Sequence, residues 1–221
     1  MADLRSDWGR GARITVTGAI TAPGGQKLAL NDTGDGVLVW YNDGTGEKCM
    51  AVALAARRAT YKWLNAQADI AGMINYNHNS FNISSGMTDA QLNAVGFNDA
   101  STAKSNTTNM RTGISDAAAA ARSVTIGGVA CSMPNIQQMK RIYALKDEID
   151  ALDPTVKANP TKALSSWSFV SAYSAWSSTE GVDGAWYCAS NGKCFGSNVD
   201  KMAQRCVIPI LELDPVTLRP L

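Results

Sequence analysis

Ala175-Trp-Ser-Ser-Thr-Glu180, Gly181 to Gly184, Ala185-Trp-Tyr187, Ser190-Asn-Gly-Lys193, Lys201 and Val207-Ile-Pro-Ile-Leu211 follow one another towards the end of the chain, and their reading decides the fold. Tryptophans beside small polar residues, glycine-bearing turns and a closing apolar run describe short strands joined by long polar loops. Such a surface suits binding better than a reaction centre. From Ser165 onward the pattern is all strand and loop.

Upstream of that region the chain alternates differently. Val37-Leu-Val-Trp-Tyr41 is a β-rich run, Asn42-Asp-Gly-Thr-Gly46 is a turn, and Cys49-Met-Ala-Val-Ala-Leu54 returns as the second arm of a hairpin. Val37–Tyr41 and Val207–Leu213 are both apolar, and they are expected to pair and bring the ends of the domain together. Gly34, Gly36, Gly44 and Gly46 serve hairpin turns and no phosphate cradle, because strand and not helix follows them. Before the hairpin, Arg13-Ile-Thr-Val-Thr17 alternates at strand period, and Gly18 to Gly25 with Pro23 reads as a turn. Residues 1–35 are read as an N-terminal β extension for attachment or oligomerisation, or else as strand that completes the main domain. Residues 36–221 are read as the binding domain.

Two helices stand out. One is expected over Ser105–Ser123, where Ala117–Ala121 gives high propensity and Gly127-Gly128 lies beyond its end. The other starts after Pro134 with Asn135 and Gln138 in an Asn-x-x-Gln box. Ile136, Met139, Ile142, Tyr143, Ile149 and Leu152 then recur at helical spacing up to Pro154, as a core stripe. A short helix is expected over Thr88–Val95.

Composition narrows the function classes. The chain has 221 residues, 45% of them hydrophobic, enough for one domain with a sizeable core. A net charge of +1 gives no electrostatic reason to expect nucleic acid or an anionic membrane as partner. No stretch has the length and apolarity of a transmembrane span, and the opening Met-Ala-Asp-Leu-Arg-Ser-Asp-Trp-Gly-Arg lacks the apolar core of a secretory signal. Synthesis and folding in a cytoplasm are therefore expected.

Five cysteines (Cys49, Cys131, Cys188, Cys194, Cys206) contain no CxxC pair, which argues against a disulfide framework or a structural zinc site and for small buried hydrophobes. The single histidine, His78, sits in a polar run and reads as a solvated loop residue. Three Asn-x-[Ser/Thr] matches, at Asn31, Asn82 and Asn106, carry no weight without a secretory route.

In order along the chain, several blocks resemble one family. Asp35-Gly-Val-Leu-Val-Trp-Tyr-Asn-Asp-Gly-Thr-Gly-Glu47 is similar to the opening hairpin of bacterial and phage C-type-lectin-like domains. Those domains were once catalogued as a domain of unknown function and are related to the Fibrobacter major paralogous domain. Asn106-Thr107 ahead of the Ala-rich helix resembles that family's Ser-Asn-Thr helix entry, and Cys131-Ser-Met-Pro134 resembles its Trp-x-Leu-Pro-[Ser/Thr] block. Trp176-Ser-Ser-Thr-Glu180, Ala185-Trp186, Asn191-Gly192, Lys201 and Val207-Ile-Pro209 resemble its C-terminal blocks. The resemblance spans residues 35–213. Cys131 departs from the family's tryptophan and Ile208 from its arginine.

The resemblance implies an α+β, C-type-lectin-like fold, with two helices flanking a small twisted antiparallel sheet and binding loops in the C-terminal half. The same layout resembles the variable proteins of diversity-generating retroelements and phage receptor-binding tips, where loop side chains change on a constant frame. The candidate face is then Ser165, Ser166, Ser168, Tyr173, Val182, Asp183, Tyr187, Ser190, Lys193, Phe195, Ser197, Asn198 and Asp200. Tyr, Ser, Gly and Asn are the side chains adaptable binding surfaces favour. Trp167, Trp176 and Trp186 are expected in the core.

The implied protein is a non-enzymatic module on a bacteriophage virion, at a tail-fibre or head-fibre tip. Its partners are a bacterial cell-surface receptor (protein or glycan), other virion proteins and further copies of itself, as in a homotrimer. Neither cofactor nor metal is expected. Glu180, Asp183, Asn198 and Asp200 could offer oxygens to calcium, but the signatures of calcium-dependent lectins are missing. Three alternatives stand beside this: a bacterial ligand-binding variable protein, a constant decoration protein of a virion, and a cysteine enzyme of the formylglycine-generating type that uses Cys188 and Cys194, with Lys193 lowering the thiol pKa.

Overall fold

A computed structural model describes residues 13–23, 25–42, 45–73, 75–76, 103–110, 114–165, 174–181, 184–189, 194–195 and 200–221. The architecture is α+β. It is built on two main sheets and a two-stranded ribbon.

The first sheet has the order β1-β2-β3-β4-β13 and is antiparallel throughout. Its strands are β1 (Val16–Thr21), β2 (Lys27–Asn31), β3 (Gly36–Asn42), β4 (Glu47–Ala53) and β13 (Ile210–Leu213). The second has the order β11-β10-β9-β12-β5, with β6 also on β9. It comprises β5 (Ala59–Lys62), β6 (Asn75–Tyr76), β9 (Ser174–Gly181), β10 (Ala185–Ala189), β11 (Cys194–Phe195) and β12 (Gln204–Val207). β12 and β6 both run parallel to β9. β7 (Thr125–Ile126) and β8 (Val129–Ala130) make the ribbon. The layout is thus larger than the single small antiparallel sheet expected from the sequence.

The expected hairpin is β3–β4, paired from Gly36↔Ala53 to Asn42↔Glu47. β13 pairs with β4 and not with β3, which corrects the expected union of the two apolar runs. The reason lies in occupancy: β2 and β4 take both edges of β3, so β4 offers the free edge. The N-terminal strands β1 and β2 are the outer strands of this same sheet. The segment after Gly18, read as turn, continues β1 to Thr21. Gly18, at φ +61°, sits where the β1–β2 register shifts, and the turn proper follows at Pro23. A left-handed glycine at a register shift is the signature of a β-bulge.

Five helices occur among the described residues: α1 (Ala103–Met110), α2 (Asp116–Ser123), α3 (Ile136–Ala144), α4 (Lys146–Leu152) and α5 (Pro154–Ala158). The helix expected over Ser105–Ser123 is therefore two. Ser115 caps the second by accepting from Ala118 N, and its hydroxyl also donates to the Trp63 carbonyl, so this residue holds a non-helical conformation between them. The Asn135–Gln138 box forms as read, each side chain satisfying the other residue's backbone N–H at 2.9 Å. Its stripe is interrupted at Leu145 (φ −115°, ψ 20°), which separates α3 from α4. Pro154 then opens α5 at a position where its missing N–H costs nothing, behind an Asp153 cap. Thr88–Val95 lies outside the described residues.

Three apolar clusters fill the body. The stripe on α3 and α4 packs with Ala175, Trp186, Cys188 and Cys206 of the second sheet and with Val37, Val39, Met50 and Val52 of the first. The opposite side of the first sheet packs on β7 and β8 through Ile126 and Val129. The opposite side of the second sheet joins Trp63, Met110, Ala117, Ala121, Trp176, Tyr187 and Val207. Trp176 and Trp186 are fully buried, as expected. No helix of the described residues is long and apolar enough to cross a membrane.

Candidate functional site

β9 is the frame of the C-terminal region, because all eight of its residues are buried. Its last charged residue, Glu180, has no exposed side-chain surface, and Lys201 reaches it at 2.6 Å with a side chain only 1% exposed. Lys201 Nζ also donates to the Ala68 carbonyl at 2.7 Å and lies 5.4 Å from the Trp63 ring centroid, while Ile70 N donates to the carboxylate at 3.1 Å. Burial pushes the Glu180 carboxyl above the usual range, against the opposing pull of Lys201. This buried pair ties the strand segment at 180, the loop at 68–70 and the turn at 201 to one point. Glu180 is thereby engaged by Lys201 and Ile70.

A second anchor holds residues 164–165. The Asp150 carboxylate accepts from Leu164 N at 2.9 Å, Ser165 N at 3.0 Å and Ser165 Oγ at 3.0 Å. Next to it in the chain, Asp153 accepts from Ala55 N at 2.7 Å and pairs with buried Arg58 at 3.4 Å.

The third feature crosses the second sheet. Register puts Tyr61 opposite Arg205, and Trp176 opposite Tyr187. The Arg205 guanidinium lies 3.7 Å from the Tyr187 ring centroid and 4.9 Å from that of Trp176, and its Nη1 donates to Ser174 Oγ. Tyr187 meets Trp176 edge to face, with centroids 6.0 Å apart and planes at 86°. Trp176 Nε1 donates to the Tyr61 carbonyl at 3.0 Å. Tyr61, Tyr187 and Arg205 are each half-buried, so the stripe presents an aromatic and cationic surface.

Of the sequence-predicted face, the described residues include Ser165, Tyr187 and Asp200. Ser165 is exposed on its Asp150 anchor, Tyr187 is in the stripe, and Asp200 is exposed with Oδ1 accepting from Met202 N at 2.8 Å. Phe195 is described by its backbone, which pairs with Tyr187 in register. Ser166, Ser168, Tyr173, Val182, Asp183, Ser190, Lys193, Ser197 and Asn198 lie outside the described residues, as do His78 and Trp167. Sequence reading missed Arg205 and Tyr61. The alternation Gln204-Arg205-Cys206-Val207, with Arg and Val on one face, was the available signal.

Cys49, Cys131 and Cys206 are free and buried, as small hydrophobes, and burial pushes the Cys131 and Cys206 thiols up to about 12. Cys188 departs from that expectation. It is disulfide-bonded, and its register partner in β10–β11 is Cys194. A sulfur held in a disulfide is no nucleophile, so the geometry offers no activated Cys188 thiol to the enzyme alternative.

Away from this region, a groove of about 320 Å³ is bordered by Lys27, Trp40, Tyr41, Glu47 and Arg141. None of these is a sequence-predicted position. Among the described residues no group of His, Cys, Asp and Glu is arranged to hold a metal ion. Comparison of the chain with protein-family profiles, with curated proteins and with solved structures finds no match.

Proposed function

We propose that this chain is a non-enzymatic binding module of C-type-lectin-like architecture, carried on a bacteriophage virion at a fibre tip, where it recognises a bacterial surface receptor. The observation that carries this reading is the mounting of the C-terminal half. A fully buried β9, the Lys201–Glu180 pair and the Asp150 anchor hold the bases of polar segments rigidly, and the aromatic stripe of Tyr61, Arg205 and Tyr187 surfaces between them. A constant frame below changeable loops is what a receptor-binding face requires. Homo-oligomerisation belongs to the same proposal, with the outer strand β1 as the available edge.

Sequencing the gene across a natural population tests the reading at codons 165–205. Changes clustered at Ser165, Ser190, Lys193 and the other loop positions, with Trp176, Gly192 and Pro209 constant, are the expected result. Sparse, uniform changes would favour a constant decoration protein instead.

A second reading, an exported bacterial ligand-binding protein, is favoured by the disulfide at Cys188, since such bonds persist in oxidising surroundings. A gene neighbourhood of secretion components in place of phage structural genes would decide for it.

A further inference from the structure

Arg205 is a cation without a counter-charge among the described residues. Buried Arg58 has Asp153 at 3.4 Å and buried Lys201 has Glu180 at 2.6 Å, whereas no acidic side chain pairs with Arg205 among the described residues. Its Nη1 is taken by Ser174 Oγ, its Nε is buried and makes no hydrogen bond, and the planar group lies on the Tyr187 and Trp176 rings. Partial burial lowers its pKa, so desolvation is felt, and the facing aromatic rings offset part of it. Removing a guanidinium from water without an anion is unfavourable unless an anion arrives from outside. The stack also holds the fork of donors in one orientation, which suits planar or tetrahedral oxygens better than a mobile ammonium would. Position completes the argument. Ser174 directly follows the candidate segment 166–173, and Tyr187 shortly precedes Ser190 and Lys193.

Resting on the receptor-binding reading, we infer that Arg205, braced by Tyr187 and Ser174, is the fixed recognition point for an oxyanion on the ligand, a carboxylate or phosphate of an acidic surface saccharide.

The test is an NMR titration of the intact chain, following the Arg205 Nε–H and the Tyr187 ring, with glucuronate, inorganic phosphate and neutral glucose as probes. Saturable shifts at Arg205 with an anion, and none with glucose, are expected. Glucuronate binding without phosphate binding assigns a carboxylate, and the reverse a phosphate. Arg205→Gln should weaken the anion about tenfold to a hundredfold, as expected for a lost charged hydrogen bond. Arg205→Lys, which keeps the charge, should weaken it less, and amide dispersion shows that each variant is folded. Absence of any saturable shift at Arg205 in folded protein overturns the inference, as does anion binding that survives Arg205→Gln. Codon 205 varying freely within a population also overturns it. Clustered loop variation at the other positions is read independently of any anion, so the receptor-binding reading stands or falls separately.

Discussion

Lys140 shows how much a single side chain can set. It lies on α3, buried to 2% exposure, with no hydrogen-bond partner for Nζ, and burial pushes its ammonium down to about 8 from 10.5. Between those two values the unfolded chain holds a proton that the folded protein has released, so stability rises with pH across that window. Below it the full cost of the buried charge is present. Denaturant unfolding at stepped pH should show this rise, and Lys140→Met should abolish it while stabilising the protein at neutral pH by roughly 1–3 kcal/mol. Lys201, unlike Lys140, has a carboxylate partner, Glu180, at 2.6 Å. Lys201→Met strands the Glu180 carboxylate and is expected to cost about 3–5 kcal/mol in chemical denaturation. Adding Glu180→Gln should recover part of that loss, the sign of direct coupling. Lys201 and Glu180 were both visible as residues of the C-terminal blocks, but their union was not. Twenty-one positions separate them, and only the tertiary fold brings them to 2.6 Å.

Among elements, those specified locally were legible and those specified by competition were not. The β3–β4 hairpin and the Asn135 box depend on neighbours within a few residues, so period and turn chemistry sufficed. The break at Leu145 carries no glycine or proline to announce it. The partner of β13 depended on which edge the N-terminal strands had already taken. Likewise Arg205 gave little warning, since a lone arginine in a four-residue strand reads as a solvated edge position until Tyr187 is seen across β9. At this scale the Asp150 anchor makes a separable prediction. Asp150→Ala should lower stability by about 1–3 kcal/mol for the unsatisfied donors it leaves. Amide exchange should accelerate at Leu164 and Ser165 ahead of the sheet strands.

At the scale of the whole molecule, the described residues combine three buried free thiols with a disulfide-bonded Cys188. Cys49, Cys131 and Cys206 are shielded by packing, and Cys188 by its disulfide. Native protein is therefore expected to resist alkylation at all four of these positions. Denaturation alone should expose the first three, and reduction should be needed for Cys188. Peptide mapping after stepwise alkylation checks this, and labelling of Cys188 without reductant would contradict it.

Two strands leave the first sheet together and enter the second together. β4 leads through residues 55–57 into β5, β12 leads through Ile208 and Pro209 into β13, and the pairs β4–β13 and β5–β12 are each antiparallel. Ala53 N donates to the Pro209 carbonyl at 2.9 Å within the corner itself. One bent ribbon thus belongs to both sheets, like a strap stitched through two panels. A displacement of one panel is therefore passed along this strap to the other.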